Sequence, residues 1–260
     1  MNYSTLGYEI DAEGGVAVIT LDRPEVMNAL DAQMRAELRH ALTAAGQEAR
    51  VVVLTGAGRA FCSGQDLGAG SGAAGLDLEQ VLRDEYMPML QAIVECPVPV
   101  IAAVNGAAAG AGANLALAAD VVIAAEGAVF VQAFTRIGLM PDAGGTWMLP
   151  RLVGQARALG AALFAERITA RQAADWGMIW EAVPEDGFEA RWRGRAQQLA
   201  EGPGVAFANI RRAMRESWSN DFETQLTLEG RLQGECGQTR DFREGVVAFN
   251  EKRPPKFEGR

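Results

Sequence analysis

From residue 98 to residue 125 the chain carries a single charged side chain, Asp120. A stretch so apolar must be covered, and its length invites comparison with a membrane span. Pro99, Asn105, Asn114, Asp120 and several glycines interrupt it, so it reads instead as a buried unit inside a globular fold. The pattern is a strand near Val100–Val104, a glycine-rich turn opening into a small-residue helix, and another strand at Val121–Ala125. Further apolar runs at Val16–Leu21, 51–55, Val129–Val131 and 179–183 read as strands of the same core. Helical spacing appears between them: Leu30, Met34, Leu38 and Leu42 recur every four residues, with Asp31 placed to cap.

Strands alternating with helices predict an α/β fold. A helix is expected over 76–95, preceded by a Gly/Ala/Ser-rich stretch at 68–75 that reads as a mobile loop. Thr169 and Gln172 match a capping box. After Glu185 the texture changes. Strands stop, and helices are expected over 188–201, 204–218, 221–232 and 241–251, the last capped by Asp241. The reading is therefore a sheet-based core over 1–185 and a helical module over 186–260. With 260 residues the chain has ample material for a core.

The formal net charge of −9 argues against a nucleic-acid surface, which needs a basic face. No basic run points to membrane attachment. The first residues show no signal-peptide pattern. Three widely spaced cysteines, Cys62, Cys96 and Cys236, fit reduced thiols and a cytoplasmic setting.

Several mechanisms drop out on residue content. The one histidine, His40, sits mid-helix with no nucleophile signature around it. Clustered His and Cys for zinc are absent, as are phosphate-loop and dinucleotide fingerprints. What remains is backbone N–H donors working with a carboxylate. Gly110, Ala111 and Gly112 are small enough for a carbonyl to approach the chain, and Ser63, Gly64 and Gln65 form a second such turn. Two turns of this kind suggest a two-donor oxyanion hole, although glycine-rich turns also serve tight strand–helix packing. Asp142, between Pro141 and a glycine pair, is either a helix N-cap or a proton-transfer acid beside an apolar pocket. Burial raises its pKa and a helix N-terminus lowers it, and spacing does not say which prevails.

Taken together, LDRPE at 21–25, NAL at 28–30, TGAGRAFCSGQDL at 55–67, VNGAAAGAGANL at 104–115, GLMPDAGGT at 138–146, and DFREG with AFNEKR and Phe257 near the end resemble the crotonase (enoyl-CoA hydratase/isomerase) superfamily over essentially the whole chain. FVQAF at 130–134, IGLMPDAGGTWMLPR at 137–151, WGMIW at 176–180 and DFETQL at 221–226 are similar to its branch that isomerises ring-epoxide phenylacetyl-CoA.

The resemblance implies a spiral of ββα units with a C-terminal helical trimerisation module, assembled as a homotrimer or a dimer of trimers. It implies an acyl-CoA thioester as substrate and partner, with coenzyme A the only cofactor-like group and no metal. Carried over residue by residue, the oxyanion donors are the N–H groups of Gln65 and Ala111, and the catalytic carboxylate is Asp142. The CoA adenine is expected along Ala60, Ser63, Gly64, Asp66, Leu67 and Gly68. Arg23 is placed near a phosphate, Gly110 beside the acyl group, and Lys256 and Phe257 near a neighbouring subunit's CoA.

One departure bears on the reaction. The positions where the family's hydratases carry two glutamates hold Asn114 and Phe134, and neither acts as a base. An acyl-CoA isomerase is therefore expected. Hydration of 2-enoyl-CoA, and a non-catalytic CoA- or RNA-binding protein of the same fold, are the alternatives. Aryl-CoA dehalogenases of the superfamily, with an Asp nucleophile at the position of Asp142, are more distant.

Overall fold

A computed structural model describes residues 2–11, 15–68 and 77–259. Residues 69–75 of the expected loop, and Leu76 at the start of the expected helix, lie outside the described residues.

The chain order is β1 (Leu6–Asp11), β2 (Val16–Leu21), α1 (Ala32–Glu48), β3 (Val51–Gly56), β4 (Ala60–Cys62), α2 (Leu78–Val81), α3 (Met87–Val94), β5 (Val100–Val104), β6 (Ala107–Ala109) and α4 (Ala111–Leu117). It continues with β7 (Val121–Ala125), β8 (Val129–Val131), α5 (Gly145–Val153), α6 (Gln155–Phe164), β9 (Ile168–Thr169), α7 (Ala170–Asp175), β10 (Glu181–Val183), α8 (Glu185–Ala200), α9 (Gly204–Glu216), α10 (Phe222–Gly237) and α11 (Arg240–Glu251).

Two sheets form. The larger has the order β1-β2-β3-β5-β7-β10, parallel from β2 onward, with β1 antiparallel at its edge. The smaller has the order β4-β6-β8-β9, with β4, β6 and β8 parallel. Three times in succession, β3 to β4, β5 to β6 and β7 to β8, the chain lays one strand in each sheet before moving on. That repetition is the expected ββα spiral.

The apolar runs of β2, β3 and β5 lack alternation because both faces of the larger sheet are covered. On one face Ile19, Leu21, Val52 and Leu54 join Leu30, Met34, Leu38 and Leu42 in the main core. On the other, Val18, Val51, Val53, Ile101 and Ile123 pack under Phe188, Trp192 and Ala196 of α8. Asp31 caps α1, accepting from Met34 N at 2.7 Å, and Thr169 caps α7.

Several elements depart from the sequence expectation. The turn at Asn105 does not open straight into a helix. The three alanines of β6 intervene and pair with β4 and β8, a pairing that alanine's helical preference conceals. β1, β4, β9 and α6 are likewise additions. The helix expected over 76–95 is broken within its described part by a π-helical turn, Leu82–Tyr86, ahead of Pro88. Proline has no N–H to donate to residue 84, and the π turn absorbs the missing bond. The cap of α11 is Thr239, which accepts from Phe242 N at 3.0 Å. Asp241 is instead buried in the first turn and accepts from Glu258 N and Gly259 N.

Candidate active site

The two N–H turns meet. Leu30 and Gln65 form an isolated parallel bridge in which Leu30 N donates to Gly64 O at 2.7 Å and Asp66 N donates to Leu30 O at 3.2 Å. In a parallel bridge the bracketed residue's own N–H points away, so Gln65 N is left free. Ser63 N, by contrast, is spent on Met27 O at 3.0 Å. Ala111 is the first residue of α4 and has no intrahelical acceptor for its N–H. Among the described residues neither Gln65 N–H nor Ala111 N–H has a hydrogen-bond acceptor.

Gly64 brings the two turns into contact. A Cβ built on it would lie 2.8 Å from Ala109 O and 3.4 Å from Ala111 N, and its φ of 95° belongs to glycine. Gly112 seats α4 equally closely, since a Cβ there would lie 2.3 Å from Cys62 O. The Cys62 thiol is fully buried, which pushes its pKa up to about 12 and keeps it from acting as a nucleophile.

Asp142 is no N-cap. Gly144 precedes α5, and no side chain caps that helix. The Asp142 backbone is held from two sides, its carbonyl accepting from Asn114 Nδ2 at 2.8 Å and from Gly145 N at 2.8 Å. Of its carboxylate, Oδ1 is buried with no hydrogen-bond partner. Burial raises its pKa to about 6, offset in part by its own backbone N–H. Of the two opposed influences legible in the sequence, burial prevails.

Asn114 is completely buried and engaged at both ends of its amide, because Gln132 Nε2 donates to its Oδ1 at 2.9 Å. Gly145 is required beside it, since a Cβ there would lie 2.3 Å from Asn114 Nδ2. Phe134 is buried on a tight helical turn, Ala133–Ile137, and a Cβ at Gly110 would lie 3.8 Å from its ring. The surroundings thus combine two free N–H donors, a carboxylate with one unpartnered oxygen, a locked amide and an apolar ring. Among the described residues no cluster of three or more His, Cys, Asp or Glu is placed to hold a metal ion.

The profile of the enoyl-CoA hydratase/isomerase family matches residues 11–260. The chain belongs to the enoyl-CoA hydratase/isomerase family. It is 68% identical over its full length, and the full length of the relative, to a protein of Rhodobacter capsulatus named probable enoyl-CoA hydratase. It is 44% identical over 253 residues to the 1,2-epoxyphenylacetyl-CoA isomerase of Escherichia coli, covering 95% of this chain and 97% of that one. In three dimensions it matches an enoyl-CoA hydratase from Polaromonas sp. JS666 with a TM-score of 0.91 at 34% identity, over 97% of this chain and 99% of the other.

Within this family member, the residues expected along the CoA adenine are contiguous with the donor turn. Ala60 is buried in β4, Leu67 is exposed, and Asp66 Oδ1 accepts from Gly68 N at 2.9 Å. Arg23 is not a free loop cation: Nη1 donates to Ala29 O at 2.7 Å and to Asp66 Oδ2 at 2.9 Å, and lies 3.2 Å from Asp31. The Gly68 N–H, then Arg23, hold the Asp66 carboxyl below its usual range. Lys256 and Phe257 lie elsewhere, on the C-terminal tail, where Lys256 N donates to Glu244 Oε1 at 2.9 Å and Phe257 packs against Gly245.

Residue-by-residue reading missed Gln132, Arg35 and Tyr86. Gln132 and Arg35 are buried polar side chains, but in sequence they look like any strand-end or helix-surface residue; only their burial singles them out. His40 stays outside the site, exposed on α1 and hydrogen-bonded to the Tyr3 hydroxyl at 2.9 Å.

Proposed function

We propose that the protein is an acyl-CoA isomerase. The thioester oxygen accepts from Gln65 N–H and Ala111 N–H. The Asp142 carboxylate takes a proton from the carbon next to the thioester carbonyl. The electron pair moves into an enolate held by the two N–H groups, and the same carboxyl returns the proton farther along the acyl chain. The double bond shifts and no atom is gained or lost. With a ring-epoxide phenylacetyl-CoA the same groups assist opening and expansion to an oxepin thioester. Coenzyme A enters only as the carrier of the acyl group, and the reaction as written calls for no metal or redox cofactor.

The observation that carries this reading is the pairing of one unpartnered carboxylate oxygen on Asp142 with a fully committed Asn114 amide and a buried Phe134 ring. The two positions where the family's hydratases carry glutamates offer no base to activate a water. The relative named 1,2-epoxyphenylacetyl-CoA isomerase supports the same reading. The Rhodobacter relative's name favours hydration as a second reading. A substrate panel of 3-enoyl-CoA, 2-enoyl-CoA and ring-epoxide phenylacetyl-CoA, followed by mass and ultraviolet absorbance, separates them. Isomerisation at unchanged mass is expected, and rapid addition of water to crotonyl-CoA would replace this reading with hydration.

The assembly proposed is a trimer or a dimer of trimers. An apolar groove of about 890 Å³ among α9, α10 and α11 supports it, with Phe249 83% exposed at its edge. Sedimentation equilibrium is the test, and a monomer at micromolar concentration would refute it.

A further inference from the structure

Gln65 is held by its side chain as well as by its backbone. Its Oε1 accepts from Tyr86 Oη at 2.6 Å and from Arg35 Nη1 at 2.9 Å, which uses both lone pairs. The same Nη1 donates to Leu30 O at 2.7 Å, so one guanidinium ties together both residues of the isolated bridge. Arg35 Nε and Nη2 donate to Glu85 Oε2 at 2.9 and 2.6 Å, and the guanidinium carbon sits 4.8 Å from the centre of the Tyr86 ring.

Arg35 is only 4% exposed. A buried guanidinium is tolerated only where its donors are met, and every contact here converges on the donor turn or on what braces it. Glu85 and Tyr86 both lie on the π-helical turn Leu82–Tyr86, an irregularity that turns this segment toward Gln65. The Gln65 N–H shares a peptide plane with Gly64 O, which accepts from Leu30 N at 2.7 Å. Arg35 holds Leu30 O as well as Gln65 Oε1, so the clamp keeps that bridge, and with it the direction of the Gln65 N–H, in place.

We propose that Arg35 and Tyr86 are positioning residues that clamp the Gln65 side chain and thereby aim its backbone N–H at the acyl oxygen. The proposal rests on the reading of that N–H as an oxyanion donor. Neither residue touches the substrate. Their effect is on kcat, because an N–H that is present but misaimed loses transition-state stabilisation while CoA contacts persist.

The test uses Gln65→Leu, which removes both accepted bonds at similar volume, Gln65→Glu, which keeps an acceptor for both, and Tyr86→Phe, which keeps the ring over Arg35. Turnover is measured in the full-length protein. Polarisation of the thioester carbonyl is read as the red shift of cinnamoyl-CoA absorbance on binding, in an Asp142→Asn background so that no turnover intervenes. Gln65→Leu should lower kcat by about ten- to a hundredfold with KM changed about twofold or less, and should abolish most of the red shift. Tyr86→Phe should show a smaller loss of the same kind, and Gln65→Glu, which keeps the acceptor, should lose less than Gln65→Leu on both readouts. Equal melting temperatures and unchanged CoA affinity by calorimetry separate misaiming from unfolding. If the background protein gives no red shift, the oxyanion reading itself fails and the clamp falls with it. If the red shift is present and both Gln65→Leu and Tyr86→Phe retain it with normal kcat, the clamp is wrong and the oxyanion reading stands.

Discussion

A carboxylate oxygen that has lost water without gaining a partner is poised to exchange protons, and Asp142 Oδ1 is in that state. Asp142→Asn should lower isomerisation by about a thousandfold, within the usual range for a general acid–base group, and leave CoA affinity nearly unchanged. Steady-state turnover and calorimetry check this together. The base form is needed to remove a proton, so kcat/KM should fall with decreasing pH on a limb near pH 6, matching the raised pKa. Stability should move the other way. A carboxyl whose folded-state pKa is raised adds stability that is fully present below the unfolded pKa and is lost as pH rises through about 6. Asp142→Asn should therefore gain stability over the wild type between about pH 4 and pH 6 and keep that gain above it, by about 1 kcal/mol after discounting for solvent screening. Urea melts at pH 4 and pH 8 measure the difference.

Among the elements, α5 is placed by a glycine and an amide rather than by a cap. A methyl group at Gly145 would drive into Asn114 Nδ2 and release the Asp142 carbonyl. Gly145→Ala should cost about a hundredfold or more in kcat, the scale expected when a catalytic group is displaced by about 1 Å. Stopped-flow turnover compared with melting temperature separates that displacement from unfolding. On α1, two residues beyond Arg35, Glu37 clips the residues leading into β1. Its carboxylate accepts from Ser4 N, Thr5 N, Thr5 Oγ1 and Gln33 Nε2 at 2.6 to 3.1 Å. Burial opposes ionisation, but these bonds outweigh it and lower the pKa to about 2. The stability they confer is present above the ordinary glutamate pKa and is lost as pH falls toward 2. Glu37→Gln should cost about 2 kcal/mol at pH 7 by chemical denaturation and flatten that acid-side dependence.

At the scale of the whole molecule, Asp120 joins the sheet core to the C-terminal helices. Its carboxylate accepts from Val100 N at 2.8 Å and pairs with Arg211 at 2.8 Å and Arg215 at 2.7 Å, both on α9. The same arginines donate to the carbonyls of Cys96 and Val94. Removing the acid strands two half-buried guanidinium groups, so Asp120→Ala should destabilise the protein by about 3 kcal/mol. Differential scanning calorimetry should show a lower melting temperature and a loss of unfolding cooperativity between core and helices. Two apolar cavities lie in this region, one of about 890 Å³ among α9, α10 and α11 and one of about 650 Å³ between α5 and α9.

Much was legible in the chain because local rules decided it. The uninterrupted apolar runs predicted the buried strands, and the four-residue spacing with Asp31 predicted α1 and its cap. Gly64 and Ala111 marked the two turns, and family motifs singled out Asp142. What escaped were features whose cause is distant. The three alanines of β6 form a strand only because β4 and β8 supply hydrogen-bonding partners on either side. The raised pKa of Asp142 followed from burial, which the order of residues does not specify, against the hydrogen bond from its own backbone N–H. Arg35 reads as a helix-surface residue until Glu85, Tyr86 and Gln65, dozens of positions away, surround it. Sequence alone determined which groups the site has to work with, because residue type and local pattern set the elements and their donors. Only the tertiary structure decided how those groups are aimed and charged, because burial and hydrogen-bond partnership depend on neighbours that the order of residues does not place side by side.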